Sequence, residues 1–174
     1  MKIRKSYSEQ ETEMIGFELG LLLKDEQRVV ILLDGELGAG KTTFTKGLAR
    51  GLGISRVVNS PTFTIMKKYQ SDDRFRYLYH LDLYRLHEAG TDFDLEEYID
   101  GNGMIVIEWP FQVEEFIPTD YLLIQIKKNS DTERELTMEC HGYPCKRAVQ
   151  LIWKDYFLMS HPALCMLDIL EMTC

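Results

Sequence analysis

The sequence has none of the features that mark a membrane protein or a cystine-rich fold. Its 174 residues contain no apolar run close to the roughly 20 residues that cross a bilayer, and no long apolar segment follows the basic start. The four cysteines form no C-x-x-C pair, and no histidine stands at zinc-finger spacing from them. These absences predict a cytoplasmic protein with reduced thiols and no membrane partner.

Excess positive charge is also missing. The net charge of −8 argues against a broad surface for a nucleic-acid backbone, because such surfaces concentrate Lys and Arg. The net charge does not exclude an RNA-related function that is carried out through protein partners. The length predicts one domain, which we expect at residues 1–158, with a C-terminal tail of uncertain structure at residues 159–174.

What the sequence does contain is a phosphate-binding loop, which matches G-x-x-x-x-G-K-[ST] between an apolar run at 29–33 and a helical pattern from Phe44. Glycines let backbone N–H groups close around phosphate oxygens, and the helix N-terminus adds free donors. Lys41 is expected to reach the β- and γ-phosphates, and Thr42 to bind magnesium. The residues expected to bind nucleotide here are Glu36, Leu37, Gly38, Ala39, Gly40, Lys41, Thr42 and Thr43.

A second apolar run, residues 104–107, ends in Glu108-Trp109-Pro110. In proteins with a phosphate-binding loop, an acid at the carboxyl end of a neighbouring strand holds magnesium directly or through water. We therefore expect Glu108 to be the second metal-binding residue. Trp109 either contacts the bound partner or closes the site, or it packs beside Pro110, and the sequence does not separate these readings.

The remaining patterns indicate a mixed sheet with helices. Residues 8–23 begin with a capping box and predict an amphipathic helix. Alternation predicts one antiparallel hairpin from 62–69 and 74–84, and a second from 120–127 and 133–140. Two further helices are expected, a short one at 94–99 and one that starts at Pro144. The predicted class is a single α/β P-loop NTPase domain with a mixed parallel and antiparallel sheet.

Two polar features have two interpretations each. The hydroxyl-rich stretch Ser60-Pro61-Thr62-Phe63-Thr64 is either a nucleotide-sensing switch or a loop that leads into an edge strand. Asp82 shares one face of its predicted strand with His80, and a carboxylate in an apolar setting needs a partner or a task. A salt bridge to Arg76 or Arg85 is the alternative.

Together these motifs resemble the TsaE (YjeE) family. The resemblance is carried by E-L-G-A-G-K-T-T at 36–43, S-P-T-F-T at 60–64, H-L-D-L-Y-R at 80–85 and I-E-W-P at 107–110, in this order. It covers residues 9–156 and does not extend to the tail. The last three elements together are far more specific than the phosphate-binding loop, which many families share.

The resemblance implies an ATPase of tRNA threonylcarbamoyladenosine biosynthesis, slow when alone and dependent on ATP and Mg2+. It implies TsaD and TsaB as protein partners, and contact with tRNA through that complex. It makes Lys41 a phosphate ligand, Thr42 and Glu108 metal ligands, and Asp82 a candidate catalytic residue that orients water. It also makes Thr62 and Thr64 switch-like residues, and Trp109 a functionally required one.

Other uses of the same loop are a small-molecule kinase and an ATP-binding interaction module that does not hydrolyse its ligand. No arginine-rich lid segment supports the kinase, and no N-K-x-D motif supports a GTPase. Retained binding without hydrolysis would distinguish the interaction module from the ATPase.

Overall fold

Seven strands form one mixed sheet in a computed structural model that describes residues 2–72, 76–85, 103–112 and 117–142. Their order across the sheet is β1-β7-β6-β2-β5-β4-β3. The four central strands, β6, β2, β5 and β4, run parallel, and the outer pairings are antiparallel. The strands are β1 Lys2–Ser6, β2 Arg28–Asp34, β3 Met66–Gln70, β4 Tyr77–Asp82, β5 Gly103–Glu108, β6 Tyr121–Lys128 and β7 Arg134–His141.

Two helices cover one face of this sheet, α1 at Glu9–Leu23 and α2 at Lys41–Gly51, and a short 3-10 turn follows β5 at Pro110–Gln112. The core under the helices joins their apolar residues to alternate residues of the central strands, such as Ile31 and Val106. The intervening strand residues, such as Leu32 and Ile107, form a second cluster on the opposite face. The predicted mixed α/β sheet with flanking helices is therefore confirmed.

The start of α1 is fixed by the N-cap Ser8, which is one half of the capping box expected from the sequence. The Ser8 hydroxyl accepts a hydrogen bond from the Glu11 backbone N–H at 3.1 Å, and the Glu11 carboxylate accepts one from the Tyr7 N–H at 2.8 Å. One donor at the helix N-terminus thus finds a partner, and the second bond ties the residue before the N-cap to the first turn, which together set the position of that turn.

The antiparallel pairing of both predicted hairpins is confirmed, but the first hairpin starts later than predicted. Its leading strand begins at Met66, because residues 62–65 form a turn in which Ile65 has a φ of 62°. Strand β1 was not predicted from the sequence; it pairs antiparallel with β7. Cys140 is disulfide-bonded, which contradicts the expectation of reduced thiols throughout.

Three predicted segments lie outside the described residues: the helix at 94–99, the helix from Pro144 and the tail at 159–174. The proposed domain boundary near residue 158 stays a prediction for the same reason. Within the described ranges, the helices are too short and too polar to cross a membrane.

Glycines allow α1 and α2 to pack with their backbones almost in contact. A Cβ atom built on Gly47 would lie 1.8 Å from the Glu13 carbonyl oxygen, and one built on Gly16 would lie 2.2 Å from the Phe44 carbonyl oxygen. Both neighbours are helix backbone atoms, which cannot move aside as a flexible side chain can. This close approach fixes where α2, and the loop before it, stand relative to α1.

We predict that Gly47→Ala destabilises the protein by roughly 2 kcal/mol or more, because the added methyl group forces the helices apart. Helix propensity alone predicts the opposite sign, a gain of about 1 kcal/mol. Chemical denaturation measures the free energy of unfolding. Lys46→Ala on the exposed side of the same helix is the control and should change it by about 0.5 kcal/mol at most. Equal stability of both variants would contradict the packing argument.

Candidate nucleotide-binding site

The parallel pairing of β2 with β5 brings the two halves of the predicted site together. Leu33 stands opposite Glu108 in the register, and the Trp109 N–H donates to the Leu33 carbonyl at 3.2 Å. Strand β4 lies beside β5 and ends with Asp82 opposite Glu108. The phosphate-binding loop and both acids therefore meet at the carboxyl ends of neighbouring parallel strands, where α/β proteins bind their ligands.

An open cleft of about 580 Å³ lies at this edge. It brings together most of the residues predicted from the sequence. Glu36 and Thr64 are the predicted site residues that do not line it; Thr64 is exposed, and Glu36 contributes its backbone carbonyl to Lys41. The predicted residues that line it are Leu37, Gly38, Ala39, Gly40, Lys41, Thr42, Thr43, Thr62, Asp82, Glu108 and Trp109.

The loop needs glycine at two positions for definite steric reasons. Gly40 is the N-cap of α2 with a φ of 109°, a conformation that side chains rarely allow. Gly35 has a φ of 147°, and a Cβ there would lie 2.3 Å from the Ile126 carbonyl oxygen. The loop can therefore turn sharply at the end of β2 and present the N-terminus of α2 to the cleft, which is an arrangement suited to anions.

Lys41 is almost fully buried at the base of the loop. Its Nζ donates to the carbonyl oxygens of Gly35 at 2.6 Å and Glu36 at 3.0 Å, and it lies 3.8 Å from the centre of the Trp109 ring. Burial lowers the pKa of Lys41, while the nearby carboxylates of Glu108 and Asp82 act in the opposite direction. The ammonium group is thus held where a polyphosphate would compensate its desolvation.

Thr42 and Glu108 form the predicted metal-binding pair. The Thr42 hydroxyl donates to Glu108 Oε1 at 3.0 Å, with Oε2 at 3.4 Å. Within the described residues, no group of three or more His, Cys, Asp or Glu side chains could hold a metal ion without other ligands. A hydroxyl and one carboxylate suit magnesium, which is usually held by few protein oxygens together with substrate phosphates and water.

Asp82 is buried and holds the hydroxyl-rich loop. Its Oδ2 accepts hydrogen bonds from the Ser60 hydroxyl at 3.0 Å and from the Thr62 hydroxyl, and its Oδ1 accepts one from the Tyr84 N–H at 3.1 Å. The alternative of a salt bridge to Arg76 is wrong, because that guanidinium donates instead to backbone carbonyls at residues 24–26. The loop and the acid form one unit at the cleft.

Trp109 contacts the site and does not merely pack beside Pro110. Its φ of 60° is unusual for a side chain of this size. Its ring lies 4.9 Å from the Tyr84 ring and under the Lys41 ammonium group. The residue therefore lines the cleft between Lys41 and Tyr84, and whether it also closes the site on a ligand stays a prediction.

Sequence reasoning missed several residues that the fold brings to the cleft. The Arg134 Nε donates to the Ala39 carbonyl at 3.0 Å, and Glu9 accepts a hydrogen bond from the Thr43 hydroxyl at 3.2 Å. No local pattern marks either residue, since each arrives from a distant element. His80 is a different case: the sequence placed it on the strand face of Asp82, and in the structure it lies behind the cleft lining, with its Nε2 2.8 Å from Glu108 Oε1.

The fold and this loop define an α/β protein of the P-loop type, and comparison with known proteins gives the same class. The crystal structure of YdiB from Bacillus subtilis superimposes with a TM-score of 0.73 at 36% sequence identity, over 88% of this chain and 95% of that chain.

The family model described as "Threonylcarbamoyl adenosine biosynthesis protein TsaE" matches residues 6–136, and the chain belongs to this family. The tRNA threonylcarbamoyladenosine biosynthesis protein TsaE of Bacillus subtilis is 51% identical over 65% of this chain and 70% of that protein. The protein of the same name from Treponema pallidum is 42% identical over 76% of this chain and 96% of that protein. The family predicted from the motifs is therefore confirmed.

We predict that Lys41→Met weakens ATP binding roughly tenfold to a hundredfold, since charge-assisted hydrogen bonds contribute about 1.5–3 kcal/mol. The thermal unfolding midpoint should stay the same or rise, because burial of the ammonium group disfavours its charged form. Titration with a fluorescent nucleotide and thermal melting measure the two effects. Lys46→Met, on the exposed side of α2, is the matched control and should change neither.

The lowered pKa of Lys41 also fixes the sign of a pH effect. In the unfolded chain Lys41 keeps its proton up to about pH 10.5, whereas in the folded protein it loses the proton at a lower pH. Between these two values the unfolded state binds more protons, so the free energy of unfolding should increase as the pH rises. Lys41→Met should lack this contribution. Unchanged ATP affinity in Lys41→Met would contradict the assignment of the loop.

Proposed function

We propose that this chain is a magnesium-dependent ATPase that acts in tRNA threonylcarbamoyladenosine biosynthesis with the partner proteins TsaD and TsaB. Membership of the TsaE family supports the pathway. The observation that carries the ATPase assignment is the 3.0 Å contact between the Thr42 hydroxyl and Glu108 inside a cleft lined by a glycine-rich loop and Lys41. These are the groups that bind a nucleotide phosphate together with magnesium.

The chain's own residues would divide the work of phosphoryl transfer to water. Backbone N–H groups at the N-terminus of α2 and the Lys41 ammonium group bind and orient the phosphates. Thr42 and Glu108 would hold magnesium, which would supply positive charge to neutralise the negative charge of the phosphates. Asp82, on the neighbouring strand, stands opposite Glu108 and lines the same cleft, where it would orient the attacking water.

A partner-supplied cation would explain activation by TsaD and TsaB. Arg134, which lines the cleft, donates to the carbonyls of Ala39, Asp131 and Thr132, so its guanidinium fastens the loop. A cation that stabilises the transition state is worth several orders of magnitude in rate in related enzymes. An enzyme that receives this cation only in a complex would hydrolyse ATP slowly when alone. Contact with tRNA would then run through the complex, in keeping with the net charge of −8.

The experiment that tests this function measures phosphate release with and without Mg2+, with the chain alone and with TsaB, TsaD and tRNA. We predict hydrolysis that needs Mg2+, rises with the partners and falls at least a hundredfold in Glu108→Gln, roughly the 3 kcal/mol that one removed electrostatic group typically costs. Glu139→Gln on β7, outside the cleft, is the matched control and should behave as the wild type. ATP bound tightly with no phosphate released under any condition would overturn the ATPase assignment.

An ATP-binding interaction module is the second candidate, and one observation favours it. Asp82 Oδ2 already accepts from the hydroxyls of Ser60 and Thr62, so Asp82 would then act as the anchor of a nucleotide-sensing loop and not as a catalytic group. In this reading the bound nucleotide orders the loop for a partner, and hydrolysis is not needed.

Asp82→Asn separates the two candidates, because an amide keeps one oxygen that can accept from the hydroxyls but loses the charge that orients water. It also loses the acceptor for the Tyr84 N–H, so thermal melting has to show that the variant stays folded. We predict nearly unchanged ATP binding and a loss of hydrolysis of at least tenfold. Asp131→Asn, in the exposed turn between β6 and β7, is the control. Full support of tRNA modification by an Asp82→Asn protein that does not hydrolyse ATP would favour the interaction module. Transfer of phosphate to a small acceptor, and not to water, would indicate a kinase.

A further inference from the structure

His80 is a buried histidine whose one side-chain hydrogen bond within the described part of the chain goes to the proposed metal-binding acid. It lies in the interior of β4 with no exposed surface, and its Nε2 is 2.8 Å from Glu108 Oε1. The Glu108 side chain is 4% exposed, so both groups are out of solvent. Histidine therefore contacts the carboxylate from within the sheet, while Thr42 contacts it from the helix side of the cleft.

The contacts of Glu108 suggest which ring nitrogen would carry hydrogen in the metal-binding state. An ionised carboxylate only accepts, so with Glu108 in the form that binds a metal both Thr42 and His80 would donate to it, and the hydrogen of His80 would lie on Nε2. The other ring nitrogen, Nδ1, is buried without a hydrogen-bond partner among the residues described. A histidine kept only for packing would be expected to have both nitrogens satisfied or to be replaced by an apolar residue, because a buried unpaired nitrogen costs about 1–3 kcal/mol. Among the described residues, the polar contact of the His80 ring is therefore with Glu108.

We propose that His80 is a positioning residue for the metal site: its Nε2–H holds Glu108 Oε1 and so fixes the carboxylate for magnesium, an inference that rests on the proposed function. The two donors meet on Oε1, at 2.8 Å from His80 and 3.0 Å from Thr42, and Oε2 lacks the histidine contact. Oε2 has only the longer 3.4 Å contact with Thr42, so it would be the more available oxygen for a metal or its bound water. Hydrogen bonds behind a metal ligand orient it, and their loss typically costs 10–100-fold in metal affinity.

The register of the sheet explains why the contact is specific to this position. Asp82, and not His80, stands directly opposite Glu108, so the histidine reaches the carboxylate diagonally from two residues earlier on the same strand face. The two polar side chains of β4 on this face therefore serve the site, while Leu78 on the same face packs in the core: Asp82 binds the hydroxyl-rich loop, and His80 binds the acid.

The test compares three substitutions of His80 that differ in where they place a donor. His80→Gln puts an amide N–H near the position of Nε2, His80→Asn has a similar amide that is too short to reach it, and His80→Leu has no donor. For each variant, the affinity for ATP is measured by titration in EDTA and in a series of Mg2+ concentrations. Thermal melting, with and without Mg2+ and nucleotide, reports folding and binding independently of turnover, and kcat and KM are measured alongside.

We expect His80→Asn and His80→Leu to need roughly 10–100-fold more Mg2+ for half-maximal ATP binding, while the affinity in EDTA changes by less than about threefold. His80→Gln should recover most of the wild-type Mg2+ dependence. At high Mg2+, His80→Gln should hydrolyse ATP as fast as the wild type. His80→Leu should stay slower, because without a donor at this position the Glu108 carboxylate is poorly oriented.

Two results would overturn the inference while the proposed function stands. In the first, the wild type hydrolyses ATP only with Mg2+, and His80→Gln, His80→Asn and His80→Leu all need the same Mg2+ concentration as the wild type. The other is an equal loss of ATP affinity in EDTA and in Mg2+, which would mean general damage to the cleft. If His80→Leu does not fold, the comparison of Gln with Asn still decides. A wild type that binds and hydrolyses ATP without any need for Mg2+ would refute the proposed function and this inference together.

Discussion

The parallel pairing of β2 with β5 is the constraint on which the site depends. Glu108 ends β5 on the same strand face as Val106, which packs in the core under α1 and α2, so its carboxylate points to the N-terminus of α2. A shift of one residue in this register would turn Glu108 to the opposite face, with Ile107, and would break its contact with Thr42. The long apolar contact between the two strands fixes this register, and the register in turn fixes the position of Glu108.

The position of α2 is fixed from the other side by helix packing. Its glycines, Gly47 and Gly51, lie against the backbone of α1, and the bond from Thr43 to Glu9 joins the two helix starts. The N–H groups that would face a phosphate thus belong to a helix held on both sides, by the sheet and by α1. Preorganised donors of this kind do not have to rearrange when an anion binds, which is the physical basis of tight phosphate recognition.

The sequence predicted the parts of the site that depend on local patterns and missed those that depend on sheet order. The phosphate-binding loop, the strand that ends in Glu108 and both antiparallel hairpins have characteristic spacing, and each has the predicted type in the structure. Arg134 reaches the loop because β7 lies two strands from β2, which no local pattern reveals. The turn at 62–65 was predicted as strand because its residues alternate in character. The alternating pattern does not show that the hydroxyl groups of Ser60 and Thr62 bond to the Asp82 carboxylate, and such bonds compete with strand pairing.

The balance of charge in the cleft bears on what the site would bind. Two buried carboxylates, Asp82 and Glu108, face one buried ammonium group, Lys41, and desolvation disfavours the charged form of that lysine. A free triphosphate would bring more negative charge towards both acids. In the proposed function, a divalent cation held by Glu108 would reduce this repulsion and would leave Lys41 to bind a phosphate oxygen. On this argument the metal–nucleotide complex would be a better ligand than the free nucleotide, and the placement of the Glu108 carboxylate would matter most.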